Sequence, residues 1–149
     1  MKLRAQAFLI LVAQAFVPVS LHATTFYVTV AGIGGEPDYE QRFTAQAQEI
    51  DKLVKAGGPD ANVTTLSGAQ ATKAQIQNAL AQIGKQAKPA DALVLMLIGH
   101  GGFDGYDYKI NLPGPDLSAV ELAALLDRVQ AVAGHRLRNL GKKGGVVED

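Results

Sequence analysis

Apolar and polar positions change period several times along this chain, and each change marks an element. Thr25 to Ala31 (Thr-Phe-Tyr-Val-Thr-Val-Ala) is rich in β-branched and aromatic residues and predicts a strand, ended by Gly32-Ile33-Gly34-Gly35. The spacing then becomes helical. Phe43, Ala47, Ile50 and Val54 fall on one face, and Gly57-Gly58-Pro59 stops the run. Asp38 followed by Gln41 has the form of a capping box at the start of that helix. Asn62 to Leu66 predicts a short second strand. Thr72 and Gln75 repeat the capping pattern ahead of Ile76, Leu80 and Ile83, the buried stripe of a second helix that ends before Pro89.

Ala92 to Ile98 is apolar without alternation, which predicts a strand buried on both faces of a parallel sheet. It runs straight into Gly99-His100-Gly101-Gly102. From Tyr106 to Leu112 the pattern alternates strictly, with Tyr106, Tyr108, Ile110 and Leu112 against Asp107, Lys109 and Asn111, the mark of a half-exposed ribbon. Pro113-Gly114-Pro115-Asp116 breaks it. Ser118 and Glu121 form a third capping box for a helix with Leu122, Leu125, Leu126 and Val129 facing inward. Strand, helix, strand, helix, strand is the order of an α/β domain with a mostly parallel sheet and helices on both faces, a three-layer α-β-α arrangement.

At 149 residues and 48% hydrophobic content the chain is long enough for one domain with a real core. Its first residues read as an export signal. Lys2 and Arg4 precede a largely apolar run from Ala5 to Val19, then Ser20-Leu21-His22-Ala23. Gln6, Gln14 and Pro18 interrupt the run, which falls short of the ~20 apolar residues of a stable membrane span. The expected division is a signal peptide over 1–23, with cleavage after Ala23 rather than Ala15 (or, since Leu21 is a poor small residue at −3, an uncleaved anchor), an α/β domain over 24–131, and an irregular tail over 132–149. An exported product, periplasmic or extracellular, is implied. Formal charge is zero, and no basic run is long enough for nucleic acid. With no cysteine there are no disulfides, so packing alone must hold an exported domain together. Asn62-Val63-Thr64 fits a glycosylation acceptor, a tripeptide that also arises by chance.

The sharpest candidate for chemistry is His100. Reactive groups in open α/β sheets collect at the carboxyl ends of strands, and this imidazole sits there between glycines. A general base needs such an open position, with a side chain that titrates near neutrality. Gly101 can offer its backbone N–H unobstructed, as an oxyanion hole requires. The blander reading of His100 is a strand-end residue bonded to loop backbone. Gly32-Ile33-Gly34-Gly35 links a strand to a helix start but lacks both dinucleotide and P-loop spacing, so a tight turn is the reading taken. Glu36, Asp38 and Glu40 suit the first turn of a helix. Asp104, Asp107 and Asp116 are too scattered for a calcium loop, and no metal or cofactor is expected.

The order of elements, with Glu36-Pro37-Asp38-Tyr39-Glu40-Gln41-Arg42-Phe43 after the glycine loop and Gly99-His100-Gly101-Gly102-Phe103-Asp104-Gly105 after the apolar strand, resembles bacterial exported legumain/caspase-like cysteine peptidases. Tyr108-Lys109-Ile110-Asn111-Leu112-Pro113-Gly114-Pro115-Asp116-Leu117 is similar to the piece that follows the histidine in that group. The resemblance covers roughly Phe26 to Ala131. It implies that His100 is the general base, that Gly101 helps bind the oxyanion, and that the sheet has strand order 2-1-3-4. It also implies a peptide or protein substrate, and Arg42 is a candidate for substrate binding. The class places its cysteine nucleophile at the end of a fourth strand, after the helix that here spans Ser118 to Ala131. This chain has neither that strand nor a cysteine, so the catalytic site lacks its thiolate and the domain is expected to be inactive alone. A reading frame lost near Ala131 would account for the Gly/Lys-rich tail. The alternative is a complete, non-enzymatic α/β module that binds a ligand or protein through the loops at Gly32 and His100. A hydroxyl nucleophile is a third possibility, but Ser118, the nearest serine, is spent as a helix cap.

Overall fold

The structure is a computed structural model that describes residues 23–133. The expected signal up to His22 and the expected tail beyond Ala133 lie outside the described residues. The chain forms an α/β domain in the order β1 (Thr25–Ala31), α1 (Pro37–Ala56), β2 (Ala61–Leu66), a 3-10 turn (Gly68–Gln70), α2 (Lys73–Gln86), β3 (Ala92–Ile98), β4 (Gly101–Phe103), β5 (Tyr108–Ile110), β6 (Leu117–Ser118) and α3 (Ala119–Ala133). The first sheet is parallel, in the order β2-β1-β3. The second is a small antiparallel ribbon, β4-β5-β6. Among the described residues no helix is long and apolar enough to cross a membrane.

The middle strand carries the core. Phe26, Val28 and Val30 of β1 meet Ile76, Leu80 and Ile83 of α2 and Val129 of α3, all of them buried, and Leu93 and Leu95 of β3 pack against the same cluster. The opposite face of the sheet is covered by α1, where Asp51 accepts a hydrogen bond of 2.9 Å from the Thr65 hydroxyl of β2. Helices therefore lie on both sides of the sheet. Its amino-terminal edge is tied by Asp91, a buried acid whose carboxylate accepts from the Thr24 N–H at 2.8 Å and the Lys88 N–H at 2.7 Å. Charge-assisted bonds of this kind explain why a carboxylate is tolerated there.

Both hydroxyl caps read from the sequence form. Thr72 accepts from the Gln75 N–H, and Ser118 and Glu121 bond reciprocally at 3.2 and 3.0 Å, a complete capping box. The first one does not. α1 begins at Pro37 with Glu36 as its N-cap and no side-chain cap, so Asp38 lies inside the first turn. Proline at the first helical position has φ already set and no N–H to satisfy, which moves the boundary two residues earlier.

Two burial expectations are corrected. β3 is not buried on both faces: Ala92 and Leu97 are exposed, Leu97 by 39%, and the other residues are half-buried. Among the described residues the strand lies at the edge, with only β1 as neighbour, and α1 covers mainly β1 and β2. The doubly buried strand is β1. The ribbon also does not keep one apolar face inward. Tyr106 and Tyr108 are 98% and 68% exposed, while Leu112 and Leu117 are fully buried. The ribbon starts in solvent and ends in the core, where those two leucines pin it to the α2–α3 layer.

Two substitutions test this packing. The Thr29 hydroxyl is buried in β1 without a hydrogen-bond partner among the described residues. Thr29→Val should therefore leave stability unchanged or raise it by about 1 kcal/mol, read as a higher urea midpoint at constant m. Leu112→Ala should cost about 2–5 kcal/mol and speed exchange of the Gly102 amide, which pairs with Lys109 in the ribbon. Exchange there at the parent rate would show that Leu112 does not hold the ribbon.

Candidate functional site

The site is built where the parallel sheet hands over to the ribbon. β3 ends at Ile98, whose carbonyl accepts from the Gly32 N–H at 2.8 Å, extending the β1–β3 ladder by one bond. Two residues on, the His100 carbonyl accepts from the Asn111 N–H at 3.0 Å, and the Asn111 carbonyl accepts from the Ile33 N–H at 3.1 Å. The loops after β1 and β3 and the end of β5 are thus bonded backbone to backbone. That approach requires glycine at position 32, where a β-carbon would lie 2.4 Å from the Asn111 carbonyl oxygen. Gly101 is constrained in the same way, since a β-carbon there would lie 2.6 Å from the Lys109 carbonyl oxygen.

His100 is exposed, and its ring is held by aromatic edges. The Tyr39 ring lies at 4.8 Å and the Phe43 ring at 5.1 Å between centroids, both in T-shaped contact. Both residues come from one face of α1, so the helix orients the imidazole. No group of three or more His, Asp or Glu side chains converges to hold a metal among the described residues. The sequence pointed to His100 but not to its aromatic supports. Periodicity places Phe43 in the core stripe of α1 and gives Tyr39 no role. Their i, i+4 spacing was the available signal, yet it has no meaning until the end of β3 is placed against α1.

Arg42 is also exposed on α1, and its guanidinium carbon lies 5.8 Å above the Tyr39 ring centroid. Tyr39 therefore touches both Arg42 and His100. A cleft of about 650 Å³ lies elsewhere, bounded by Gly32, Ile33, Glu40, Gln41, Thr44 and Pro113, and His100 does not line it. The glycine loop is a tight turn. Gly34 packs against Tyr39, and the Tyr39 and Glu40 amides donate to the Glu36 carbonyl. Those two donors are used within the first turn of α1. Ser118 is buried with its hydroxyl engaged by the Glu121 amide, so it is a cap and not a nucleophile.

The ladder pattern decides where the Gly101 amide points. The register pairs Gly101 with Ile110, Gly102 with Lys109 and Phe103 with Tyr108. In an antiparallel ladder, bonded and non-bonded pairs alternate. Asn111 donates to His100, and the Asp104 N–H donates to the Asp107 carbonyl at 3.3 Å, so those two pairs and Gly102–Lys109 are the bonded ones. Gly101 and Phe103 belong to non-bonded pairs, and their N–H and C=O groups face away from β5. Phe103 and Tyr108, closest in such a pair, bring their rings to 4.7 Å.

The turn between β4 and β5 is held by Asp104. Its carboxylate pairs with the Lys109 ammonium and accepts from the Tyr106 and Asp107 amides, each at 3.0 Å. The Lys109 hydrogen bond, then the two backbone bonds, lower its pKa from 3.8 to about 2. A depressed carboxylate pKa contributes stability that is present above the unfolded value and lost as pH falls through the folded one. Amide protection at Tyr106 and Asp107 should therefore hold at pH 5 and decline between about pH 4 and 2. Asp104→Asn should remove that pH dependence, and an unchanged acid profile in this variant would assign the transition to another group.

Comparison of the chain with family models, with curated proteins and with solved structures finds no match in any of the three.

Proposed function

We propose that this chain is the histidine-bearing part of an exported, caspase/legumain-like peptide-bond-cleaving domain that lacks its cysteine nucleophile. The observation that carries the reading is the placement of His100. An exposed imidazole at the carboxyl end of a parallel strand, steadied by Tyr39 and Phe43, stands beside the outward-facing N–H of Gly101. In the proposed mechanism the imidazole takes the proton from a thiol and returns it to the leaving amine. The Gly101 N–H stabilises the oxyanion that forms on the carbonyl. Arg42, lying over Tyr39, is the candidate for contact with the substrate.

The strand order β2-β1-β3 supports the same reading, because among the described residues it leaves β3 free on the side where a nucleophile-bearing strand would pair. With no cysteine in the sequence, the chain by itself carries out no thiolate chemistry.

The test is reconstitution. An apolar strand ending in cysteine is appended after α3, and fluorogenic peptides with Asn, Asp or Arg at the cleavage position are supplied. Cleavage that falls at least ~10³-fold in His100→Ala, with stability changed by about 1 kcal/mol or less, is the expected result. The DNA beyond codon 131, read in its other two frames, should encode such a strand and cysteine. A completed, folded chain that cleaves none of these peptides would leave a binding module as the reading.

A further inference from the structure

The backbone bonding along β3 and β4 keeps one parity. The Ala92 N–H donates to the Thr24 carbonyl at 2.9 Å and the Ile98 carbonyl accepts from Gly32, so the even positions of β3 bond β1. The His100 carbonyl accepts from Asn111, and Asp104 bonds Asp107, so the even positions next to and within β4 bond β5. Ile33 bonded to Asn111 sets the end of β5 in line with the end of β1. The odd positions, Leu93, Leu95 and Leu97 in β3, then Gly101 and Phe103 in β4, direct their N–H and C=O groups to the other side. Among the described residues nothing pairs with them there.

The two parts of this edge differ. Along β3 it is wholly apolar. Along β4 it is short and open: Gly101 and Gly102 carry no side chain, all three residues are exposed, and Phe103 is 57% exposed beside Tyr108. The surroundings of β4 are acidic. Lys109, the only cation of the ribbon, is paired with Asp104 and also lies in the field of Asp107 and Asp116.

We infer that the free edge of β4 captures an extended peptide carrying basic side chains, which adds as a strand through the N–H and C=O groups of Gly101 and Phe103. Strand addition supplies affinity through the main chain and selects alternate side chains through the flanking surface. Here the flanking groups are the Phe103–Tyr108 ring pair, which suits cations and aliphatic stems, and the acidic ribbon. The bound strand passes directly beside His100. The inference deepens the peptidase reading by naming its substrate class, and it rests on that reading only for the bound peptide being a substrate.

The experiment is a titration of the full, ¹⁵N-labelled chain with a capped hexapeptide of alternating Val and Lys. Two isomers N-methylated on one or the other set of alternate amides serve as controls. Saturable shifts at the Gly101 and Phe103 amides, with a dissociation constant of roughly 0.1–1 mM, are expected. One N-methylated isomer should lose binding at least ~10-fold and the other stay within ~3-fold, because only one parity of a strand bonds an edge. Asp107→Asn should weaken binding several-fold. Equal binding by both isomers, shifts confined to Leu93, Leu95 and Leu97, or no saturable shift would each overturn the inference. Failure of the reconstituted chain to cleave peptides would leave this titration untouched. Cleavage without shifts at Gly101 and Phe103 would sink the edge while sparing the peptidase reading.

Discussion

Two backbone hydrogen bonds join the two sheets, Asn111 to His100 and Ile33 to Asn111, beside a third, Gly32 to Ile98, that extends the β1–β3 ladder. They place the loop after β1, the loop after β3 and the end of β5 in direct contact. Contact this close is possible only where no side chain intervenes, and the 2.4 Å that would separate a β-carbon on Gly32 from the Asn111 oxygen shows how little room remains. The position of His100 follows from these bonds, because its own carbonyl is one of the acceptors. An imidazole on a freely moving loop would have no defined partner. Here its backbone is part of a ladder and its ring rests on α1.

The two ends of the sheet are stabilised by different means. At the amino-terminal end a buried carboxylate, Asp91, collects amides from the start of β1 and from the α2–β3 loop. At the carboxyl end glycines and peptide groups do the joining, which leaves side chains there free for chemistry. The general tendency of parallel sheets to bind and react at this end has that local basis here. The same division explains the exposed surface. Apolar burial is concentrated on β1, α2 and the two leucines that anchor the ribbon, while β3 and the tip of the ribbon remain open.

An apolar edge strand is unusual on a finished surface, since unpaired backbone groups beside Val, Leu, Met and Ile invite pairing with another chain. Among the described residues β3 is in that state along its outer side. Pairing of β3 by a further strand and capture of a peptide by β4 are compatible, because they use successive stretches of one edge with the same parity. His100 lies at the junction between them.

Much of the fold was legible in order and period. The helical stripe Ile76, Leu80 and Ile83, the caps at Thr72 and Ser118, the ribbon after His100 and the α/β class all follow from local spacing, because capping and amphipathicity are properties of neighbouring residues. His100 was legible too, as a histidine between glycines after an apolar strand. Tertiary structure alone decided the rest. An apolar run reads the same in a central strand as in an edge strand, so only the order β2-β1-β3 showed that β1 and not β3 is buried on both faces. Tyr39 and Phe43 became supports of the imidazole only when α1 packed beside the end of β3. The direction of the Gly101 amide depends on ladder register, a relation between Gly101 and Ile110 that neither segment carries by itself. Local sequence sets which element forms; which neighbour it meets is set by the packing of the whole chain.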